Sequence, residues 1–177
     1  MAAGKNIRAL CATKNPPGLS STMWITKKAE VTAITAASAG KIAGSSAFTM
    51  ATSPAAGTWN VFEMSPVPGK KTFTAPLEGE TGNKFWKPEV SGYINGVTGA
   101  KSAILESFVG CECLVIIKTK GAKRFLIGDL DDGVYLDVVP GINGEANGYE
   151  IKAMSELSGY IPYELDDDVT LTVAADA

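Results

Sequence analysis

The fold of this chain is decided by four runs of β-type residues: CLVIIKTK (113–120), KRFLIGD (123–129), VYLDVV (134–139) and YEIKAMSEL (149–157). Short segments rich in turn-forming residues join them, with Gly121-Ala122 after the first run and 129–133 before the third. Runs of β-branched and apolar residues bounded by such segments are typical of antiparallel strands. We therefore predict a four-stranded unit over residues 113–157.

A short helix is predicted just before these strands, over about 99–109. Thr98 is a suitable N-cap, and Gly110 stands where a left-handed residue ends a helix. Lys101 and Glu106 are expected to point outward. The apolar positions that recur at helical spacing and are expected to face the sheet are Ala100, Ile104 and Phe108.

The rest of the chain adds further strands. We predict a strand over 23–34 with a break near 27–29, a hairpin of 59–64 with 71–76, a strand over 86–94, and a last strand over 169–174 at a sheet edge. The fold class is therefore mainly β. We expect two packed antiparallel sheets, a β-sandwich or barrel, with one flanking helix.

One domain of 177 residues is expected, with two segments outside its regular part. The first is an N-terminal extension over about 1–20. The second, over about 36–57, is rich in Ala, Gly and Ser and is too poor in large side chains to fill a core by itself. It is predicted to be a loop or inter-subunit arm. Its large side chains, the candidate anchors, are Ile42, Phe48 and Met50.

The composition argues against an enzyme. The chain has no histidine, which removes the commonest general base and transition-metal ligand, and its three cysteines lack the spacing of a zinc site. The acidic run 129–132 hints at a calcium loop, but it lacks the ligand positions of an EF-hand, so a solvated turn is preferred. We expect no catalytic residue, no metal and no cofactor.

Charge is divided unevenly along the chain. Residues 1–101 hold 11 Lys/Arg and 5 Asp/Glu, a net charge of +6, whereas residues 102–177 hold 5 and 14, a net charge of −9. Two interpretations stay open: either folding intermixes the two halves, or one subunit has an acidic and a basic surface suited to head-to-tail contact with its copies. The net charge of −3 argues against a DNA-binding protein.

No apolar run approaches the length of about 18–20 residues that a membrane span needs. The N-terminal residues MAAGKNIRAL also lack the apolar core of a signal peptide. We therefore expect a protein without a membrane span that is made and folded in a cytoplasm.

The order of motifs resembles virion proteins of phages that infect Bacteroidota, which look like tail tube or major tail proteins. The likeness covers about residues 57–165. The matching residues are Gly110-Cys111, 114–117, 121–124, 126–128 and Asn147-Gly148-Tyr149.

The resemblance implies a tail tube subunit of a phage virion, made in the host cytoplasm. Such subunits form hexameric rings that stack into a tube and contact other virion proteins, while double-stranded DNA passes through without specific binding. Acidic residues would line the channel or meet the next ring at its rim. The candidates are Glu112, Asp131, Asp132, Asp137, Glu145 and Glu150.

Three alternatives stay open. The first is a head decoration or neck protein, and the second is the tube protein of a contractile secretion or injection system. The third is a sugar-binding module. In that module the three tryptophans would stack on sugar rings: Trp24, Trp59 and Trp86.

Overall fold

The chain is mainly β with one short helix, which confirms the predicted fold class. The structure, a computed structural model, describes residues 18–66, 70–81, 83–142, 147–155 and 162–175. The helix α1 spans Gly99–Glu106. The strands are β1 (Leu19–Lys27), β2 (Val31–Ile34), β3 (Lys41–Ile42), β4 (Phe48–Met50), β5 (Asn60–Glu63), β6 (Thr72–Thr74), β7 (Leu77–Glu78), β8 (Phe85–Trp86), β9 (Glu89–Asn95), β10 (Glu112–Thr119), β11 (Arg124–Ile127), β12 (Val134–Ile142), β13 (Asn147–Met154) and β14 (Tyr163–Leu165).

The layers of the fold are parts of one branched sheet of ten strands, and the branch lies at β10. One edge of β10 pairs with β1, and β5 pairs with the far edge of β1. The other edge pairs with β12 at Glu112 and Cys113 and with β11 from Val115 to Lys118. One branch continues as β12-β13-β9-β6 and the other as β11-β14-β3, while β2-β4 and β7-β8 form separate ribbons.

The first branch curls into a barrel. The strands β5-β1-β10-β12-β13-β9 follow one another by antiparallel pairing. The backbone N–H of Ser65, just after β5, donates to the carbonyl of Tyr93 in β9 at 2.6 Å and so brings the two ends together. Gly92 permits this approach, because a Cβ at that position would collide with the sulfur of Met64.

Two cores lie on opposite faces of β10. Cys113, Val115 and Ile117 point into the barrel, and the intervening Leu114 and Ile116 point outward, yet all five are buried. A strand buried on both faces reads as a continuous apolar run, which explains the CLVII sequence. The outer core is completed by residues from both ends of the chain: Val31, Ile42, Ala47, Trp59, Leu126, Leu165 and Val169.

Segment 36–57 belongs to this outer core, which corrects its prediction as an arm. Ile42 is only 2% exposed, and β3 pairs in parallel with β14. Phe48 packs edge to face on Trp59, with ring centroids 5.1 Å apart, and Met50 pairs with Val31 between β4 and β2. The predicted anchors thus serve their own subunit, because the outer face of β10 needs an apolar cover.

The helix begins at the predicted N-cap, but α1 ends at Glu106 instead of about residue 109 and has a different inner face. The Thr98 side chain accepts a hydrogen bond from the Lys101 backbone N–H at 3.3 Å, and Gly110 has a φ of +77°. Leu105 and Phe108 are buried against the barrel core and Ile104 is partly buried, whereas Ala100 is exposed. The prediction for Ala100 is wrong, since α1 covers the barrel opening with its second half only.

Three strand predictions also need correction. Strands β5 and β6 do not form a hairpin, because β5 pairs with β1 and β6 pairs with β9. The predicted strand over 86–94 is divided between β8 and β9 at Lys87-Pro88. Residues 169–174 make only a parallel bridge between Val173 and Trp59. In contrast, the break after Lys27 is confirmed by a 3-10 turn over Lys28–Glu30.

Candidate self-association surface

Most of one edge of β12 is open, and this edge borders the barrel core. β12 pairs with β13 from Tyr135 to Ile142, but it pairs with β10 only at its first two residues. From Leu136 onward, the second edge of β12 has no partner strand among the described residues. An edge strand with unpaired N–H and C=O groups is a site where another chain can add. Pro140 lacks an N–H and so removes one donor from this edge.

A groove of about 250 Å³ separates this edge from the helix. Its lining is mainly apolar, with one carboxylate, and combines α1, the turn after it and the two long strands. The lining residues are Ser102, Leu105, Glu106, Val109, Val138, Pro140 and Tyr149. We call this feature the α1–β12 groove.

Tyr149 holds the wall of the groove in place. Its hydroxyl lies 2.6 Å from Ser102 Oγ and donates to the Thr98 carbonyl at 3.2 Å. The ring is buried in the barrel core, so one side chain fixes β13 to the first turn of α1. These hydrogen bonds therefore fix the helix side of the groove to β13, the neighbour of β12.

Exposed apolar side chains adjoin the groove. Val109, after the helix, is 52% exposed, and Val139, on the outer face of β12, is 61% exposed. Tyr135 on the same face of β12 is 45% exposed. Single exposed apolar residues are ordinary, but Val109 at the groove and Val139 and Tyr135 on the outer face of β12 lie on either side of an open strand edge, which is typical of a contact surface.

Two of the predicted acidic residues lie on this outer face. Asp137 and Glu150 are exposed on β12 and β13, where Glu150 pairs across from Val139. Lys152, across from Asp137, forms its ion pair with Glu89 at 3.1 Å. With Glu106 on the groove, this end of the barrel carries three carboxylates for which the described residues contain no ion-pair partner.

The other four predicted acidic residues lie elsewhere or outside the described residues. Glu112 forms an ion pair with Lys28, whose Nζ lies 2.6 Å from the Glu112 Oε2. The hydrogen bond that Lys28 donates to Glu112 raises the pKa of Lys28, although burial acts in the opposite direction. Asp131 and Asp132 are exposed in the turn after β11, where the Asp129 carboxylate accepts both of their backbone N–H groups. Glu145 lies outside the described residues.

Folding intermixes the basic and acidic halves of the sequence. Three ion pairs join them: Lys28 with Glu112, Lys41 with Glu164, and Lys152 with Glu89. Glu164 also pairs with Lys123 at 2.6 Å, and the hydrogen bond from Lys123 is the main cause that lowers the pKa of the Glu164 carboxyl. The charge split along the sequence is therefore not a division of the surface into halves.

A basic cluster nevertheless lies at the Thr119 end of β10. Lys71 donates to Ser21 Oγ at 2.9 Å, and the Lys120 backbone N–H donates to the Gly18 carbonyl. Burial, followed by repulsion from Lys120, lowers the pKa of Lys71. β12 runs antiparallel to β10 and continues past Glu112, so the α1–β12 groove lies at the opposite end of the barrel.

The tryptophans do not form a sugar-stacking platform. Trp59 is fully buried, and Trp24 packs against the outer core. Trp86 is partly buried in the β7-β8 ribbon. The alternative of a sugar-binding module therefore loses the shared aromatic face that it needs.

The remaining chemistry of the described residues is limited. Burial raises the pKa of the Cys113 thiol to about 12, and Cys111 is partly buried. Within the described ranges, no group of three or more Cys, Asp or Glu is placed to hold a metal ion. In the same ranges, no helix is long and apolar enough to cross a membrane.

The groove was not predicted from the sequence. Its lining comes from two segments some forty residues apart, and neither carries a motif. The sequence feature nearest to a signal for this surface was Val139-Pro140, because Val139 is an apolar residue at a position of the alternating strand that faces outward. Comparisons of the chain with models of protein families, with curated protein sequences and with solved structures found no match.

Proposed function

We propose that this chain is a structural subunit of a phage virion whose copies form the stacked hexameric rings of a tail tube. Other virion proteins would contact the ends of that tube. Double-stranded DNA would pass through the channel without specific binding. The resemblance described above supports this assignment, and so does the placement of the contact features on the barrel.

The observation that carries the proposal is the polarity of the subunit. One end of the barrel has the α1–β12 groove, the open β12 edge and unpaired carboxylates. The other end has the start of β1 and the basic cluster of Lys71 and Lys120. Different surfaces at opposite ends favour head-to-tail contacts, which repeat along an axis instead of closing as a two-fold dimer.

The exposed carboxylates fit a channel that conducts DNA. Asp137 and Glu150 lie on the outer face of β12 and β13, next to the exposed Val139. Lys or Arg on such a face would bind phosphates and hold the duplex by counterion release. Carboxylates repel the phosphates, so the part of this face that neighbouring copies leave uncovered would form a wall along which the duplex can slide.

Negative-stain imaging of the purified full chain tests the proposal. Stacked tubes are expected at high protein concentration. Single rings or trimers would favour the neck or head decoration alternatives, and a lasting monomer would contradict self-assembly. Tubes alone do not separate a phage tail from an injection system, so the chain should also be sought in purified virions by mass spectrometry.

A charge at Val139 should prevent tube formation without unfolding the subunit. The Val139→Lys variant places a cation at an exposed apolar position. The new Lys would lie across from Glu150 on the neighbouring strand, and this pairing of opposite charges should keep the single subunit folded. We expect at least a tenfold loss of tubes by imaging and unchanged circular dichroism. Val173→Lys is the matched control, because Val173 is 44% exposed but lies on the outer core side. Tubes of normal length in Val139→Lys would exclude this face from the contact.

Tube length should fall as salt is added. Contacts between the acidic groove end and the basic Lys71 and Lys120 end are attractive, and salt screens them as the Debye length falls from about 10 Å at 0.1 M to about 3 Å at 1 M. Carboxylates that face one another across a channel would produce the opposite trend. Tubes that grow longer with salt would therefore contradict head-to-tail charge pairing as the main electrostatic contact.

A further inference from the structure

The strands β12-β13-β9-β6 form a run of the sheet with an open edge on each side. β6 is the last strand of its branch, and among the described residues it pairs only with β9. On the other side, the described residues give β12 no partner strand from Leu136 onward. Each strand of the run is antiparallel to its neighbour, so β6 and β12 have opposite directions. A second copy repeated along the sheet therefore brings its β6 edge beside the β12 edge in antiparallel pairing.

The two edges carry opposite charges. Lys70 and Lys71 directly precede β6. The β12 edge has Glu106 on the groove beside it, and Asp137 and Glu150 lie on the neighbouring outer face. A two-fold pairing of two β12 edges would bring the carboxylates of both copies together, and like charges on adjacent strands are destabilising. Charge therefore favours β6 over a second β12 as the strand that covers this edge.

The faces of the two strands also correspond. On β6, Phe73 is partly buried against the barrel core, whereas Thr72 and Thr74 are exposed. On β12, Val138 is partly buried against the same core, whereas Val139 is exposed on the outer face. Because side chains alternate between the two faces of a strand, a pairing that continues both faces must place Phe73 opposite an inward-facing residue of β12.

β10 limits the register of this pairing. It already pairs with the first two residues of β12, so the three residues of β6 fit opposite 137–139, where the edge is open. We propose that β6 of one copy adds as an antiparallel strand to the open edge of β12 in the neighbouring copy, with Phe73 opposite Val138. This inference rests on the self-assembly proposed above and names the strand pair that joins successive copies.

The same register brings opposite charges together across the contact. Two residues before Phe73, Lys71 lies opposite Pro140, which lines the groove together with Glu106. Lys71 donates to Ser21 Oγ of its own copy at 2.9 Å, and an ammonium group has three donors. Lys71 of one copy and Glu106 of the next therefore form the charge pair of this contact.

Exchanging these two charges tests the contact in the full chain. Lys71→Glu places a carboxylate near Lys120, and Glu106→Lys places a cation at the end of α1, so neither variant should lower the unfolding midpoint. We expect each single variant to reduce assembly at least tenfold, as measured by light scattering at low salt. The double variant should assemble again. An equimolar mixture of the two single variants should assemble as well, because each supplies the charge that the other lacks.

Two outcomes of the charge exchange would overturn the inference. Lys71→Glu that assembles like the unmodified chain would show that β12 pairs with another edge, such as a second β12. A mixture of the single variants that stays unassembled would show that the two charges do not meet across the contact.

A disulfide tests the register. Thr72→Cys/Val139→Cys places two thiols on the outer face, opposite each other across the contact. Cα atoms of an antiparallel pair lie about 4.5–5.5 Å apart, a distance that a disulfide spans. Dioxygen with copper phenanthroline accepts two electrons and two protons from the thiol pair as the disulfide forms. We expect a ladder of covalent oligomers on a non-reducing gel, because β9 and β13 separate the two positions within one copy.

Thr72→Cys/Tyr135→Cys is the matched control. Tyr135 is 45% exposed on the same face of β12, but it already lies beside β10, so this variant should give no ladder. The unmodified chain, with its own three cysteines, sets the background. An equal ladder in the control, or no ladder in Thr72→Cys/Val139→Cys, would overturn the proposed pairing.

Images of the same samples separate the inference from the proposed function. Tubes that form in Thr72→Cys/Val139→Cys without the ladder contradict the strand pairing but leave the tube assignment standing. Covalent oligomers that form neither tubes nor rings support the strand pairing and contradict the tube assignment.

Discussion

Replacing Phe108 by alanine will lower the free energy of unfolding by about 3–5 kcal/mol, the usual cost of deleting a buried phenyl ring. The ring is 2% exposed and meets Phe62 edge to face, with centroids 6.1 Å apart. It covers the barrel opening together with Leu105. The loss is measured as a shift of the urea unfolding midpoint at an unchanged slope.

Val109→Ala provides the matched control for this prediction. The neighbouring Val109 side chain is 52% exposed, so its truncation should change the free energy of unfolding by less than about 0.5 kcal/mol. A loss below about 1 kcal/mol in Phe108→Ala would mean that the helix does not seal the barrel in the free subunit. Such a result would contradict the packing of α1 described above.

Ile42→Ala is expected to cost about 2–5 kcal/mol of folding free energy, again as a buried aliphatic truncation. Ile42 is 2% exposed in the outer core, in a segment whose composition alone predicts an arm. Unfolding by urea at low protein concentration measures the cost in the subunit itself. Thr49→Ala, at an exposed position of β4, is the control and should stay within about 0.5 kcal/mol.

The two descriptions of segment 36–57 give opposite results in this experiment. If Ile42 anchors an arm on another copy, its truncation leaves the unfolding midpoint unchanged and reduces assembly. If it belongs to the outer core, the midpoint falls before any assembly takes place. An unchanged unfolding midpoint in Ile42→Ala would therefore support the interpretation of segment 36–57 as an arm and contradict its place in the outer core.

The strands near β10 could be predicted because their signals are local. The turn at Gly121-Ala122 and the break after Lys27 depend on residues that are adjacent in the sequence, and both were found where expected. The hairpin of β5 and β6 was predicted by the same reasoning and is wrong. The partner of each strand is decided by the closure of the barrel, where the Ser65 N–H reaches Tyr93, and no local pattern carries that information.

The outer core was missed for a related reason. Small residues surround Ile42 and Phe48, so the segment has too little apolar volume for a core of its own. It becomes core only because β10 presents Leu114 and Ile116 on its outer face and needs a cover. The candidate acidic residues were likewise chosen by charge alone, which does not distinguish Glu112, paired with Lys28, from the exposed Asp137 and Glu150.

The double burial of β10 has a consequence for the newly made chain. Residues 113–117 have high β-propensity, no charge and no proline, which is the composition of segments that aggregate when unprotected. The strands that cover this run are synthesised at different times: β1 and β5 come before β10 in the chain, whereas β11 and β14 come after it. Glu112 and Lys118 stand at the two ends of the run as charged gatekeepers. We expect these two charges to disfavour aggregation of the strand during the interval in which only part of its cover exists.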